Sequence, residues 1–247
     1  MERASFRYAI AARIALLMMK QGRVSFYVEK ENRSSLFLRC FFGTSGLLCN
    51  FWALSYLKLG DASILQKMAP FFSIIMSIFI LGERPNKIAI LSVILALCGA
   101  AFVVKPGQGL LGVPALIGLL GGFCAGTAYT FVRRLGLRGV KGPQIVFYFS
   151  LFSLIAVLPF CILQGRAMSG RELLFLLGAG ICAAMGQIFV TKAYAYAPAK
   201  EISVYDYSQV LFSALLGFFI LQEVPDLFSF IGYALIFGVA LWKWKKG

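Results

Sequence analysis

The sequence predicts an all-α fold, a polytopic bundle of about nine transmembrane helices built as two related halves. Its composition, the spacing of its apolar runs and an internal repeat point to this. Of 247 residues, 60% are hydrophobic and 14% charged, against about 45–50% and 25% in an average soluble domain. Mean hydropathy is +0.83, so a water-soluble fold of this length would have too little polar surface.

Apolar runs separated by short polar connections predict helices at Ser5 to Met19, Cys40 to Leu57, Ala62 to Leu81, Lys87 to Val104, Val113 to Val132, Gln144 to Leu163, Leu173 to Ala193, Ile202 to Leu221 and Leu227 to Trp242. Most approach the ~20 residues needed to cross a hydrocarbon core at 1.5 Å rise each. The first is interrupted by Arg7 and Arg13.

The net charge of +14 does not indicate a nucleic-acid binder, because the basic residues sit in short loops and form no stripe. One alternating set of loops holds Lys20, Arg23, Lys30, Arg33, Arg39, Arg84, Lys87, Arg133, Arg134, Arg138, Lys141, Lys200, Lys243, Lys245 and Lys246. The other holds Arg3, Lys58, Lys105, Arg166 and Arg171. By the positive-inside rule the first set is cytoplasmic, and the C-terminus with it. This predicts a multi-pass protein of the cell membrane.

The six cysteines fall in or beside apolar spans without CxxC spacing, which argues against a disulfide framework or a zinc site. Histidine is absent, so proton chemistry near neutral pH would have to use carboxylates. No cofactor is expected, and no GxxxxGK[ST] phosphate loop is present. The N-terminal stretch carries charge inside its apolar run and does not read as a signal peptide.

At an offset of 140 residues, FFSIIMSIFILGERP (Phe71 to Pro85) lies over LFSALLGFFILQEVP (Leu211 to Pro225) without a gap. Phe72, Ser73, Phe79, Ile80, Leu81, Glu83 and Pro85 recur at the same places, as do Gly46, Ala53, Tyr56 and Ser63 further along the register. The repeat divides the chain into 1–107 and 113–247. The helix at Val113 to Val132 has no partner in the first half, so the expected organisation is four helices plus five, with the first helix of a five-plus-five parent lacking. Odd-numbered halves insert in opposite senses, giving inverted repeats.

These residues resemble the EamA-type transporters of the drug/metabolite transporter superfamily, which carry two five-helix inverted repeats. The resemblance spans essentially the whole chain. It rests on FRYAIAAR, ALSYLKLGDASILQKMAPFFSIIMSIFILGERP, GAAFVVKPG, and YDYSQVLFSALLGFFILQEVPD with its trailing GYALIFG. It implies a secondary transporter of small metabolites working by alternating access. The solute and the bilayer would be its partners, nucleic acid would not, and the resemblance leaves room for a homodimer. The missing helix keeps a second reading open, that of a truncated or accessory membrane fragment. A membrane-embedded enzyme fits poorly, since His is absent and Asp206 is the only carboxylate well inside a predicted span.

An ionisable group in a span costs at least a few kcal/mol near its centre, so each one is a functional candidate. Gln66, Lys67 and Pro70 sit early in one central helix, where Pro70 removes a backbone donor. Tyr205, Asp206 and Gln209 sit early in its counterpart, with Asp206 over Gln66 in the repeat. The competing structural reading has Lys67 snorkelling and Asp206 favouring a helix N-terminus. Asn50, Gln187 and Arg13 complete the candidate solute-binding set. Lys67 and Arg13 against one Asp206 favour an amphoteric or anionic solute, an amino acid for instance. Gly118, Gly122 and Gly126 form GxxxGxxxG, a pattern that admits a second backbone at close range.

Overall fold

The computed structural model describes residues 2–57, 59–104, 112–163, 170–222 and 226–246. Glu223 and Pro225 of the repeat, and the end of its first half, lie outside the described residues. Among those described, the helices are α1 (Glu2–Gln21), α2 (Lys30–Tyr56), α3 (Leu59–Gln66), α4 (Ala69–Leu81), α5 (Lys87–Val104), α6 (Val113–Leu137), α7 (Gly142–Leu163), α8 (Gly170–Tyr196), α9 (Ala199–Ile202), α10 (Ser208–Leu216) and α11 (Leu227–Lys246). A 3-10 turn covers Tyr205–Tyr207 and a π turn Gly217–Leu221. The described residues contain no strand, and the chain is a polytopic helical bundle. Among the described residues, six spans can cross a membrane by length and composition: Lys30–Tyr56, Ala62–Leu81, Val113–Leu137, Gly142–Pro159, Leu174–Tyr196 and Leu227–Lys245. Lys87–Val103 is apolar but shorter.

Several helices run past their expected ends, α6 reaching Leu137 and α8 spanning Gly170–Tyr196, and three differences are larger. Helix α2 begins at Lys30 rather than Cys40, because hydropathy marks the lipid-soluble part of a helix and not its polar extension. Arg39, counted above with the loop charges, therefore lies inside α2 and is 2% exposed. The two central helices are each interrupted rather than continuous, and these interruptions form the candidate site described below.

The chain forms two compact units, Met1–Thr44 with Phe131–Tyr196, and Ser45–Thr130 with Ala197–Gly247. Both draw on both halves of the sequence, so they are not the repeats themselves.

In the first unit α1 packs on α7 and α8 around a core of Ala15, Val146 and Ile188. Tyr8 stands edge-on to Phe149, with ring centroids 5.6 Å apart. The buried Arg39 guanidinium lies 4.1 Å from the centroid of the same ring, a placement that cation–π attraction favours. The Thr44 and Ser153 hydroxyls join α2 to α7 at 2.7 Å. Arg133 donates to the Ala195 carbonyl at 3.0 Å.

In the second unit α5 crosses α11 at a glycine pair. A Cβ on Gly232 would fall 2.5 Å from the Gly99 carbonyl oxygen, so only glycine permits this approach. The two helices start alike. Asn86 Oδ1 accepts from Ala89 N at 2.7 Å, and Asp226 Oδ1 from Ser229 N at 3.1 Å, each satisfying an otherwise unpaired first-turn donor. Asn86 and Asp226 are 140 residues apart. So are Gly82, which ends α4 at φ 68°, and Gln222, at φ 55°. The backbone conformation repeats even where the residue best suited to it does not.

Candidate solute-binding site

The interruption in the first central helix follows from Pro70. Proline has no N–H, and its ring crowds the carbonyl four residues back, here that of Gln66. Helix α3 ends at Gln66, Met68 N bonds to the Leu65 carbonyl at 3.2 Å in a tight turn, and α4 restarts at Ala69 with the proline in its first turn. The second interruption runs from Ser203 to Tyr207, after Pro198 has started α9 in an extended conformation, φ −68° and ψ 152°. No proline occurs between Ser203 and Tyr207, and nothing in those residues explains the break.

The two interruptions meet within the second unit. The Tyr207 hydroxyl, fully buried, donates to the Lys67 carbonyl at 2.9 Å. Lys67 Nζ donates to Gln209 Oε1 at 2.6 Å. The Asp206 carboxylate is near enough to act coulombically on the Lys67 ammonium. Tyr207 is Lys67 plus 140 residues, so two positions separated by the repeat offset touch. A carbonyl freed by the broken helix is thus satisfied by the Tyr207 side chain, and the half-buried Lys67 ammonium is held by an amide oxygen.

Helix α6 supports this meeting point. A Cβ on Gly118 would lie 2.8 Å from Leu65 Cδ1, one on Gly122 2.7 Å from the Leu65 carbonyl, and one on Gly126 2.5 Å from the Ala69 carbonyl. The GxxxGxxxG stripe is therefore the bed on which α3, the interruption and α4 lie. The Thr130 hydroxyl adds a bond to the Ser73 carbonyl at 3.2 Å.

Of the candidates from sequence, Lys67, Asp206 and Gln209 come together. Pro70 is buried at the start of α4, whereas Gln66 and Tyr205 are exposed close by in sequence. Asn50 is half-buried in the part of α2 that belongs to the same unit. Arg13, exposed on α1, and Gln187, half-buried in α8 and donating to Thr191 Oγ1 at 3.2 Å, belong to the first unit. Tyr207 is not among those candidates, although it is fully buried at the crossing. The repeat offset from Lys67 was the signal that could have singled it out. Among the described residues no group of His, Cys, Asp and Glu could hold a metal ion.

Apolar spans with two broken helices joined at a charged, hydrogen-bonded crossing define a polytopic membrane protein of the transporter class. The sequence profile of the EamA-like transporter family matches residues 1–105 and again 113–242, and the chain belongs to that family. It is 32% identical over 246 residues to the pseudopaline exporter CntI of Pseudomonas aeruginosa, covering 98% of this chain and 86% of the relative. It is 25% identical to the riboflavin transporter of Vibrio cholerae, covering 98% and 83%. Mouse solute carrier family 35 member G1 is 22% identical, with 100% of this chain and 72% of the relative covered. One solved crystal structure superposes with a TM-score of 0.82 at 18% identity, over 96% of this chain and 84% of that one, a likeness of fold alone.

Proposed function

We propose that this protein is a secondary carrier for small amphoteric or anionic solutes, working by alternating access about the crossing of its two interrupted helices. The observation that carries this reading is the 2.6 Å bond from Lys67 Nζ to Gln209 Oε1 beside Asp206. A solute carboxylate can replace the amide oxygen as acceptor, and a solute amine can turn to Asp206. Low-dielectric surroundings strengthen both contacts relative to water. Broken helices at a repeat interface are the construction that rocking transporters use for their sites. The matched caps at Asn86 and Asp226, and the matched left-handed residues 82 and 222, support two inversely inserted copies, 1–107 and 113–247.

The sequence lacks a phosphate loop, so the driving force is a solute or ion gradient. The relatives named for exporting pseudopaline and for transporting riboflavin support carriage of metabolite-sized polar molecules. The distribution of basic residues supports a cytoplasmic C-terminus in a cell-surface membrane.

The test is uptake by proteoliposomes of a panel of amino acids and small carboxylates, with the parent, Lys67→Met and Asp206→Asn. A charge-assisted hydrogen bond is worth about 1.5–3 kcal/mol, so Lys67→Met should weaken solute binding roughly ten- to hundred-fold. Transport by both variants at the parent's rate and KM would remove the site from the mechanism.

A further inference from the structure

The first unit contains an open groove of about 600 Å³ between the N-terminal half of α2, α7 and the segment joining α1 to α2. That volume is within the ~300–1,000 Å³ of ordinary ligand sites. Its floor is apolar, with Leu36, Phe37, Cys40, Leu151, Phe152 and Ile155. Its rim is the segment at residues 25–28, and that segment is fastened in place. Gln144 Nε2 donates to the Ser25 and Tyr27 carbonyls at 3.1 and 2.9 Å, and the Tyr148 hydroxyl to the Phe26 carbonyl at 2.6 Å. The groove is therefore preformed.

Arg33 stands at the rim. Its Nε donates to the Val28 carbonyl at 3.0 Å, and its guanidinium lies 5.5 Å from the Tyr27 ring centroid. One edge of the fork is thereby fixed, which leaves the two Nη groups for another acceptor. From Lys20 to Arg33 the segment carries four basic and two acidic residues. Arg138 joins it from α6 and its turn, donating to the Glu31 carbonyl at 3.1 Å. A cationic fork with aromatic side chains at the rim and a greasy channel below matches one molecule abundant at that boundary. Tyrosine at the rim also suits the membrane–water interface.

The geometry points to an anionic phospholipid as the resident of this groove, its phosphate on Arg33 and one acyl chain along Leu36, Phe37 and Ile155. A basic pocket between membrane helices is a recognised form of headgroup site, and here the Arg fork supplies bidentate phosphate geometry. The site is separate from the Lys67 crossing, and its failure leaves the solute reading untouched.

The test is native mass spectrometry of the purified full chain titrated with phosphatidylglycerol and phosphatidylcholine of matched acyl chains. The parent should retain phosphatidylglycerol preferentially. Arg33→Gln should cut that retention about five-fold, the factor corresponding to the ~1 kcal/mol that each basic residue gains near an anionic surface, while phosphatidylcholine is unchanged. Ile155→Trp, on a side chain that is 63% exposed and so tolerant of exchange, should fill the channel and lower retention of both lipids. Lys87→Gln, the same charge change in the second unit, should leave the preference intact. Equal retention of both headgroups by the parent, unchanged retention by either groove variant, or a dimer in which a second copy covers the groove would overturn the assignment.

Discussion

Gly126→Ala tests the bed beneath the interrupted helix. The added Cβ would sit 2.5 Å from the Ala69 carbonyl oxygen, 2.7 Å from Ser73 N and 2.8 Å from Phe72 Cβ. Ordinary contact begins near 3.4 Å, and two of these three neighbours are backbone, so α4 must retreat by about 1 Å. Overpacking of this kind costs ~1–3 kcal/mol. The same retreat would lengthen the 3.2 Å bond from Thr130 to the Ser73 carbonyl beyond hydrogen-bonding range, costing a further ~0.5–1.5 kcal/mol. Alanine returns ~0.5–1 kcal/mol through its greater helix preference. The net loss is about 0.5–4 kcal/mol, read as a lower melting temperature in detergent or nanodiscs.

The control is Gly178→Ala in α8, where a Cβ would meet nothing within 4 Å; there only the helix preference acts, and stability should hold or rise. Because Gly126 touches the helix that restarts just after Lys67, transport should also weaken in Gly126→Ala. If Gly126→Ala melts with the parent, or Gly178→Ala loses as much, close backbone approach does not govern this crossing.

Tyr207→Phe strips the donor from the Lys67 carbonyl without changing shape much, and leaving that buried acceptor unsatisfied should cost ~1–3 kcal/mol in thermal stability; a melting temperature equal to the parent's contradicts the pairing. Gln222→Gly relieves a left-handed residue at φ 55°, a conformation that costs a side-chain-bearing residue about 1–2 kcal/mol, so this variant should melt higher; no gain would mean that the side chain compensates. With the six native cysteines replaced, single cysteines at positions 83 and 223 should react with an impermeant thiol reagent from opposite sides of the membrane. Labelling of both from one side would refute inverted insertion.

Where apolar runs alone decide the structure, the sequence was readable. The GxxxGxxxG stripe correctly implied backbone contact, because three glycines at helical spacing leave one face without side chains. The repeat offset aligned Lys67 with Tyr207, and the structure brings these two residues into contact. Pro70 announced a lost donor, though not that α3 would end outright. The break at Ser203 to Tyr207 was illegible, since no residue there forbids a helix. The start of α2 was misplaced for a related reason, as Lys30 to Arg39 is helical but polar, and a hydropathy reading is blind to helix that is not greasy. Arg39 was hidden for the same reason: charge in sequence suggests a loop, and only its place on the Phe149 ring marks it as interior.

The bond from Tyr207 to the Lys67 carbonyl bears on how such a chain can be cut or rearranged. A fragment stopping before residue 113 would carry a kinked segment whose exposed acceptor has no donor of its own. Its complement would carry a hydroxyl stranded in the greasy interior. Separating the two fragments therefore removes this bond. Expressed as two polypeptides, they should accumulate only when produced together, each acting as the other's folding template.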